Sequence, residues 1–159
     1  MTEPHSSKQV GVISDTHGLM RPEALAALRG SDLIIHAGDI GSPAVLEALG
    51  RIAPTHAVRG NNDRDAWGMK LPLIDVVSAG GSDLYLVHDI ADIDVDPAAA
   101  GFAAVIYGHS HKPLIEWRDG VLFLNPGSAG PRRFKLPIAV ARLRVHAGGI
   151  EPELVTLEV

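Results

Sequence analysis

The chain of 159 residues contains no cysteine. This absence excludes disulfide bonds, zinc sites built from thiolates and cysteine nucleophiles, and it fits a reducing compartment. We therefore predict a cytoplasmic location. Long hydrophobic runs are also missing, because the longest apolar stretches have the length of a strand and fall short of the ~20 residues that span a bilayer. No contact with a membrane is expected.

Aromatic residues and positive charge are both scarce. Aromatics make up 4% of the chain, and 14 lysines and arginines face 19 acidic residues, for a formal net charge of −5. This composition disfavours a broad basic surface or a stacking platform for long nucleic acids. It leaves open a nucleotide that is held in a small cleft by metal ions. The only tight basic cluster comprises Arg132, Arg133 and Lys135.

The length predicts a single domain over residues 1–159, with a polar, flexible leader at residues 1–8. The first half alternates between two patterns, which predicts a parallel sheet with crossover helices. Buried strands are expected at residues 10–14, 32–36 and 54–58, and helices at 22–28 and 43–49. Proline at each helix start and glycine after each helix end support these bounds.

The second half is rich in strand patterns. We predict strands at residues 73–77, 83–87, 103–107, 114–118, 121–124, 137–146 and 149–157, and one short helix at 97–100. Asp119-Gly120 is a strong hairpin signal, because both residue types tolerate positive φ. Two sheets packed face to face, with helices outside, are the expected α/β architecture. Ligands in such folds bind beyond the carboxyl ends of the strands.

Polar turns with metal-ligating side chains follow several of these strands. The turns contain Asp15 and His17, then Asp39, then Asn61, and finally His109 and His111, with a fifth candidate turn at His88. Two carboxylates, four imidazoles and one amide are too many ligands for one tetrahedral ion and suit two ions. The predicted metal ligands are Asp15, His17, Asp39, Asn61, His88, His109 and His111.

A dinuclear site requires a ligand that bridges two cations about 3.5–4 Å apart. Asp39 is the candidate bridge, because a carboxylate offers two oxygens and its turn is central in the order of the strands. Two divalent ions with two aspartates leave a charge of about +2, which a hydroxide and a phosphodiester monoanion would balance. Nitrogen and oxygen ligands without sulfur suit manganese, which we expect first, or iron, zinc or nickel.

The motif order resembles the calcineurin-like metallophosphoesterase superfamily, in particular its small prokaryotic phosphodiesterase branch. The motifs are Asp-x-His, Gly-Asp, Gly-Asn-x-Asp, His, Gly-His-x-His and Asn-Pro-Gly-Ser, and they span residues 9–157. The resemblance implies a four-layer αββα sandwich with the metal site at the carboxyl ends of the strands. It also implies one ion on Asp15, His17, Asp39 and His111, and a second on Asp39, Asn61, His88 and His109.

Two positions depart from the family pattern. Asn62 stands where many larger members carry a histidine that protonates the leaving group, and an amide cannot act as that acid at neutral pH. The second departure is His88-Asp89-Ile90, where the family has His-Gly-His. Asp89 either orients a ligand histidine from behind or distorts a turn that glycine would permit.

Other residues keep alternative interpretations. Asp15 and Asp39 would each suit a helix cap, and His109 and His111 would suit an exposed turn. Asn61 would suit a simple turn, and Asn62 and Asp63 are expected to shape that loop. Arg132 and Arg133 either receive substrate phosphate or are solvated loop charges. His36 is expected in the core or behind the ligands, and residues 125–128 are expected to support the site from behind.

We therefore predict a metal-dependent phosphodiesterase that uses a metal-bound hydroxide on a small phosphoester, nucleotides included. The predicted catalytic residues are Asp39, Asn61 and Asn62, and the substrate-binding residues are Asn62, Arg132 and Arg133. A noncatalytic scaffold of the same fold, like the retromer subunit of this superfamily, and a phosphomonoesterase are the alternatives. Apolar edge strands leave a homodimer open.

Overall fold

The computed structural model describes residues 7–159, which form two five-stranded sheets and three short α-helices. The strands are β1 (Lys8–Ile13), β2 (Leu33–His36), β3 (Thr55–Ala57), β4 (Ile74–Ala79), β5 (Ser82–Val87), β6 (Ala104–Ile106), β7 (Leu114–Arg118), β8 (Val121–Asn125), β9 (Ala139–His146) and β10 (Gly149–Thr156). The helices are α1 (Pro22–Leu28), α2 (Pro43–Gly50) and α3 (Pro97–Ala100).

The start of β1 corrects the predicted leader. Lys8 already pairs with Val145 of β9, so a flexible leader over residues 1–8 is wrong at its carboxyl end. The polar Lys8 belongs to the strand because ladder pairing uses its backbone, which requires no apolar side chain. Residues 1–6 of the predicted leader lie outside the described residues.

The first sheet has the order β10-β9-β1-β2-β3. Strands β1, β2 and β3 run parallel, while β9 runs antiparallel to β1 and β10. Helices α1 and α2 cross over between the parallel strands and bury Ala24, Leu28, Val45 and Leu49 in a cluster with Ile13 and Ile34. The predicted βαβαβ rhythm is confirmed, because each helix has one apolar face to bury against the sheet.

The second sheet has the order β4-β5-β6-β8-β7 and combines parallel and antiparallel pairs. Its inner face packs against the first sheet through one buried cluster that includes Val12 and Ile35 from one sheet and Leu86 and Leu124 from the other. On its outer face, Ile93 and Phe102 from residues 90–102 pack against a buried cluster that contains Tyr85. The four-layer α/β sandwich is thus confirmed, with a thin outer layer on this side.

Two tight hairpins set the register of the second sheet. Asp119 and Gly120 have φ values of 51° and 79° and close β7 onto β8, as predicted. Gly80 and Gly81, at φ 57° and 85°, form a second such turn that the sequence analysis missed. Strand β4 consequently continues to Ala79, beyond its predicted end.

The strand ends determine where chemistry can occur. Strands β1, β2, β3, β5 and β6 each end just before a turn that carries predicted ligands. Within residues 7–159, no helix combines the length and the apolar character that crossing a bilayer requires.

Candidate metal centre

Five of the seven predicted ligands converge closely. The donor atoms of Asp15, His17 and His111 lie within 4.8 Å of one another, and so do those of Asp15, Asp39 and His88. Asp15 belongs to both groups, although the sequence analysis had singled out Asp39 as the shared ligand. The side chains come from turns up to 96 residues apart in the chain, so the fold itself assembles the cluster.

The backbone at this cluster is held in the left-handed region. Asp15, His17, Asp39, His109 and His111 have φ values of 56°, 48°, 56°, 73° and 65°. Within the described chain, only Asp119 and Phe134 share this conformation among residues other than glycine. Such values cost free energy for a residue with a side chain and concentrate at functional sites. The strain therefore marks these turns independently of the motifs.

Several buried polar atoms of the cluster lack a hydrogen-bond partner. Across residues 7–159 there are five such side-chain atoms, and four are Asp15 Oδ1, His17 Nε2, His88 Nε2 and His111 Nδ1. Buried polar atoms are normally paired, because an unpaired one costs about 1–3 kcal/mol. Carboxylate oxygens and imidazole nitrogens are also the ligands that divalent transition metals prefer. The residues present therefore fit metal ions.

The two carboxylates are poised to remain ionised. Burial alone would raise the pKa of Asp39, but His88 and the Asn62 backbone N–H stabilise the charged form and lower its pKa to about 2. Burial opposes ionisation of Asp15 in the same way, and His111, His88 and the Ser14 hydroxyl outweigh it and lower the pKa of Asp15. Both side chains therefore bring full negative charge to the cluster at neutral pH.

His88 is aimed at these carboxylates by the backbone behind it. Its Nδ1 donates to the carbonyl of Ala37 at 2.7 Å, and its Nε2 lies 3.3 Å from Asp39 Oδ2 and 3.9 Å from Asp15 Oδ1. A hydrogen bond at one ring nitrogen orients the other toward a metal. Burial alone would lower the pKa of His88, but the Asp39 and Asp15 carboxylates outweigh it and raise this pKa.

The four histidines form two pairs. The rings of His17 and His111 lie 5.4 Å apart, and the rings of His88 and His109 lie 5.3 Å apart. Asp39 Oδ2 is 3.8 Å from His17 Nε2 and 3.3 Å from His88 Nε2. The same oxygen thus faces one histidine of each pair.

Asn61 and His109 form the outer, solvent-facing part of the cluster. The Asn61 Oδ1 and His109 Nδ1 atoms are 3.2 Å apart, and the His109 backbone N–H donates to Asp15 Oδ2 at 3.1 Å. The opposite ring nitrogen of His109, Nε2, lies 3.7 Å from Asp89 Oδ2. Asp89 has φ −108° and accepts a hydrogen bond from Ala91 N–H. Its backbone is therefore relaxed, which removes the expected turn distortion and favours the orienting role.

Asn62 contacts Asp39 twice. Its backbone N–H donates to Asp39 Oδ1 at 2.9 Å, and its side-chain amide donates to Asp39 Oδ2 at 3.1 Å. Both bonds favour the ionised carboxylate. The structure therefore places Asn62 at the centre, with its amide directed at Asp39 Oδ2.

Asp63 has a positioning role that the sequence analysis missed. The sequence predicts a simple turn residue here, yet the Asp63 carboxylate is buried and accepts hydrogen bonds from the backbone N–H groups of Ile40, Gly41 and Gly60. It thereby joins the turn of Asp39 to the turn of Asn61. The aspartate at the fourth position of Gly-Asn-x-Asp was the available signal.

Two glycines allow the turns to approach closely. A methyl group at Gly60 would overlap the backbone nitrogen and carboxylate of Asp39, and one at Gly108 would overlap Ser14 and Asp15. Neither glycine has positive φ. They are required here for space.

Residues 125–128 support the cluster from behind, as predicted. The Asn125 side chain donates to the Gly108 carbonyl at 3.0 Å and accepts from the Gly127 N–H at 2.9 Å. The Ser128 hydroxyl donates to the Asp15 carbonyl at 3.0 Å. These bonds hold the turns that precede His109 and follow Asp15.

His36 lies behind the ligands, fully buried. Its Nδ1 accepts from the Gly38 N–H at 3.0 Å, so Nε2 donates to the Thr16 hydroxyl at 3.0 Å, which itself donates to the Ile40 carbonyl. Burial lowers the pKa of His36 to about 4. The ring is therefore neutral at physiological pH, and it connects the turns of Asp15 and Asp39.

Arg132 and Arg133 stand apart from this arrangement. Both side chains are exposed, and Arg132 donates to the Leu136 carbonyl within its own loop. Within residues 7–159, neither arginine forms a hydrogen bond or an ion pair with a predicted ligand. Their assignment to substrate stays a prediction.

Comparison with known proteins places this geometry in context. Residues 9–148 match the model of the calcineurin-like phosphoesterase superfamily domain. A probable metallophosphoesterase of Methanothermobacter thermautotrophicus is 34% identical over 158 residues, covering 92% of this chain and 91% of the relative.

Solved structures share the fold. A novel archaeal phosphodiesterase superposes with a TM-score of 0.77 at 22% identity, covering 92% of this chain and 99% of that one. Zinc-bound Vps29 from Entamoeba histolytica superposes with a TM-score of 0.68 at 22% identity, covering 93% and 98%.

Proposed function

Because the chain belongs to the calcineurin-like phosphoesterase superfamily, we propose that it is a dinuclear metal-dependent phosphodiesterase acting on small diesters. The observation that carries the proposal is the arrangement of the four histidines as two pairs around Asp15 and Asp39. Each pair, with a carboxylate, offers a ligand set for one ion.

We assign His17 and His111, with Asp15 and Asp39, to one ion, and His88, His109 and Asn61, with Asp39, to the other. The pairwise contacts of the rings support this assignment, and so does the position of Asp39 Oδ2, 3.8 Å from His17 Nε2 and 3.3 Å from His88 Nε2. When bound, two divalent cations supply an activated water and neutralise charge on the phosphoryl group. Manganese is the first candidate, before iron, zinc or nickel.

The residues of the chain then keep the site ready for an anionic ester. Asn62 holds Asp39 through two charge-assisted hydrogen bonds, which fix the orientation of the Asp39 carboxylate. Asp63 and His36 hold the turns together from behind. Since an amide does not release a proton at neutral pH, Asn62 cannot protonate the departing oxygen. We therefore propose a preference for diesters with good leaving groups.

The test is hydrolysis of bis(p-nitrophenyl) phosphate against p-nitrophenyl phosphate, with protein stripped of metal and titrated with manganese. We expect faster diester hydrolysis that saturates near two ions per chain. Asp39→Asn should abolish turnover, whereas Asp65→Asn, at an exposed aspartate outside the cluster, should leave it unchanged. Two bound ions without turnover on either ester would instead support the scaffold alternative.

A further inference from the structure

A hollow opens beside the predicted ligands of the second ion. Two cavities of about 310 and 160 Å³ share Arg59, Leu73, His88 and Asp92 in their walls, so they form one continuous depression. The smaller cavity also reaches Asn61. The hollow therefore begins at the metal centre and runs outward to the start of β4.

The outer wall of the hollow is apolar. Leu73, Ile74 and Val87 line the larger cavity, and the Leu73 side chain is 58% exposed. A small-molecule pocket has a typical volume of about 300–1,000 Å³ and is lined mainly by apolar groups. The hollow falls at the lower end of that range, which is suitable for one substituent of a small ester.

The charges of the hollow limit what that substituent can be. Among the described residues in its walls, Arg59 is the one cation, and its guanidinium already donates to the Met69 carbonyl. Asp89 and Asp92 add two carboxylates. The two carboxylates outnumber the one guanidinium, so the walls carry a net negative charge that would repel a second phosphate or another anionic group.

We propose that this hollow binds an uncharged, apolar ester group of the substrate while the phosphodiester lies at the metal centre. This inference rests on the proposed function and narrows its substrate class. Diesters with an aryl or similarly apolar neutral substituent are favoured, and pyrophosphates or polyphosphates are disfavoured. Leu73 and Ile74 are then residues that determine specificity.

The test uses ligands that cannot be hydrolysed, so that binding is measured apart from turnover. Phenylphosphonate, methylphosphonate and phosphonoacetate are titrated into zinc-loaded protein by calorimetry, and methyl signals are followed by carbon-edited NMR. We expect phenylphosphonate to bind about tenfold more tightly than methylphosphonate, because the ring buries apolar surface. The methyl signals of Leu73, Ile74 and Val87 should shift with phenylphosphonate only.

Two matched leucine variants test whether the preference for phenylphosphonate depends on the apolar wall of the hollow. Leu73→Ala should reduce the preference for phenylphosphonate about fivefold, while Leu114→Ala should leave it unchanged. Leu114 is also partly exposed, at 40%, but lies on β7. Asp92→Asn should strengthen phosphonoacetate binding about threefold, because it removes one repelling charge.

Equal affinities for phenylphosphonate and methylphosphonate would overturn the inference, and so would an unchanged preference in Leu73→Ala. Failure of all three phosphonates to bind would be a different result. It would contradict the proposed phosphoester site itself and, with it, the pocket.

Discussion

Single residues at this site combine the side chain of a predicted metal ligand with an unfavourable backbone conformation. For a residue with a Cβ, a left-handed φ costs about 1–2 kcal/mol. Asp15, His17, Asp39, His109 and His111 all adopt it. Glycine would relieve the strain at each position and would remove the ligand.

His109 allows this strain to be measured, because 47% of its side chain is exposed and few packing contacts would be lost. In metal-free protein, His109→Gly should be about 1 kcal/mol more stable than His109→Ala, because glycine adopts the φ of 73° found here without steric strain. Urea unfolding in the presence of a chelator measures the difference. At an ordinary helix or strand position, alanine would be more stable than glycine. A His109→Ala variant that is more stable than His109→Gly would therefore show that the backbone at residue 109 is not strained.

Asp89 directly follows the predicted ligand His88, and its carboxylate lies 3.7 Å from His109 Nε2. Asp89→Asn keeps an oxygen for the Ala91 N–H but removes the charge. We expect about tenfold weaker binding of the ion assigned to Asn61 and His109, as for other carboxylates behind a metal-bound histidine. Calorimetric metal titration gives the affinity, and the nitrogen chemical shifts of His109 report its tautomer.

Asp92→Asn is the control for this prediction, because Asp92 lies in the same hollow without an ion pair to His109. If both variants weakened metal binding equally, the effect would be general electrostatics, and Asp89 would have no orienting role.

At the scale of elements, Asp63 joins the turn after β2 to the turn after β3. Asp63→Asn replaces one carboxylate oxygen by an amide that faces backbone N–H donors. We expect a loss of about 1.5–3 kcal/mol in the free energy of unfolding, the range for a hydrogen bond to a charged group. Urea unfolding measures it, with Asp65→Asn in the neighbouring exposed segment as the control. Equal stabilities of the two variants would show that the turns hold together without Asp63.

The sequence predicted the elements well where the pattern is local. The periodic apolar residues of α1 and α2 and the Asp119-Gly120 turn depend on near neighbours. Asp63 was missed because its partners Ile40 and Gly41 lie more than 20 residues away. Asp89 and His109 are also distant in the chain, 20 residues apart, so the sequence left two interpretations of Asp89 open.

The motifs predicted which turns would meet, because each of these turns follows a strand of a parallel pair. The carboxyl ends of these strands lie at the same end of the sandwich. They did not predict the strained φ values, which arise from packing between turns. The motifs also could not reveal the hollow, because Arg59, Leu73 and Asp92 come from three separate segments.

At the scale of the whole molecule, His36 links stability to pH. Its pKa is about 4 in the folded protein and near 6.5 in the unfolded chain. Between pH 4 and 6.5 the unfolded chain therefore binds more protons than the folded protein. The stability of metal-free protein should therefore fall as the pH drops from 6.5 to 4, by about 3 kcal/mol. The pKa of His88 is raised in the folded protein, so the stability that it contributes is lost only above pH 6.5. The pKa of Asp39 is lowered, so the stability that it contributes is lost only below about pH 4.

Urea unfolding at several pH values, with a chelator present, tests this window. His36→Asn retains an acceptor for the Gly38 N–H but does not titrate, so its stability should change little between pH 6.5 and 4. If the free energy of unfolding of this variant fell with pH as steeply as that of the wild type, another group would determine the pH dependence.

The left-handed turns have a consequence for how such a chain changes over generations. If selection acted on stability alone, glycine would be favoured at these five positions, and the ligands would be lost one substitution at a time. A copy released from its chemistry would thus drift toward a more stable fold without metal ions. Aspartate and histidine occupy all five positions, so this chain keeps side chains that can bind metal ions at the expense of backbone strain.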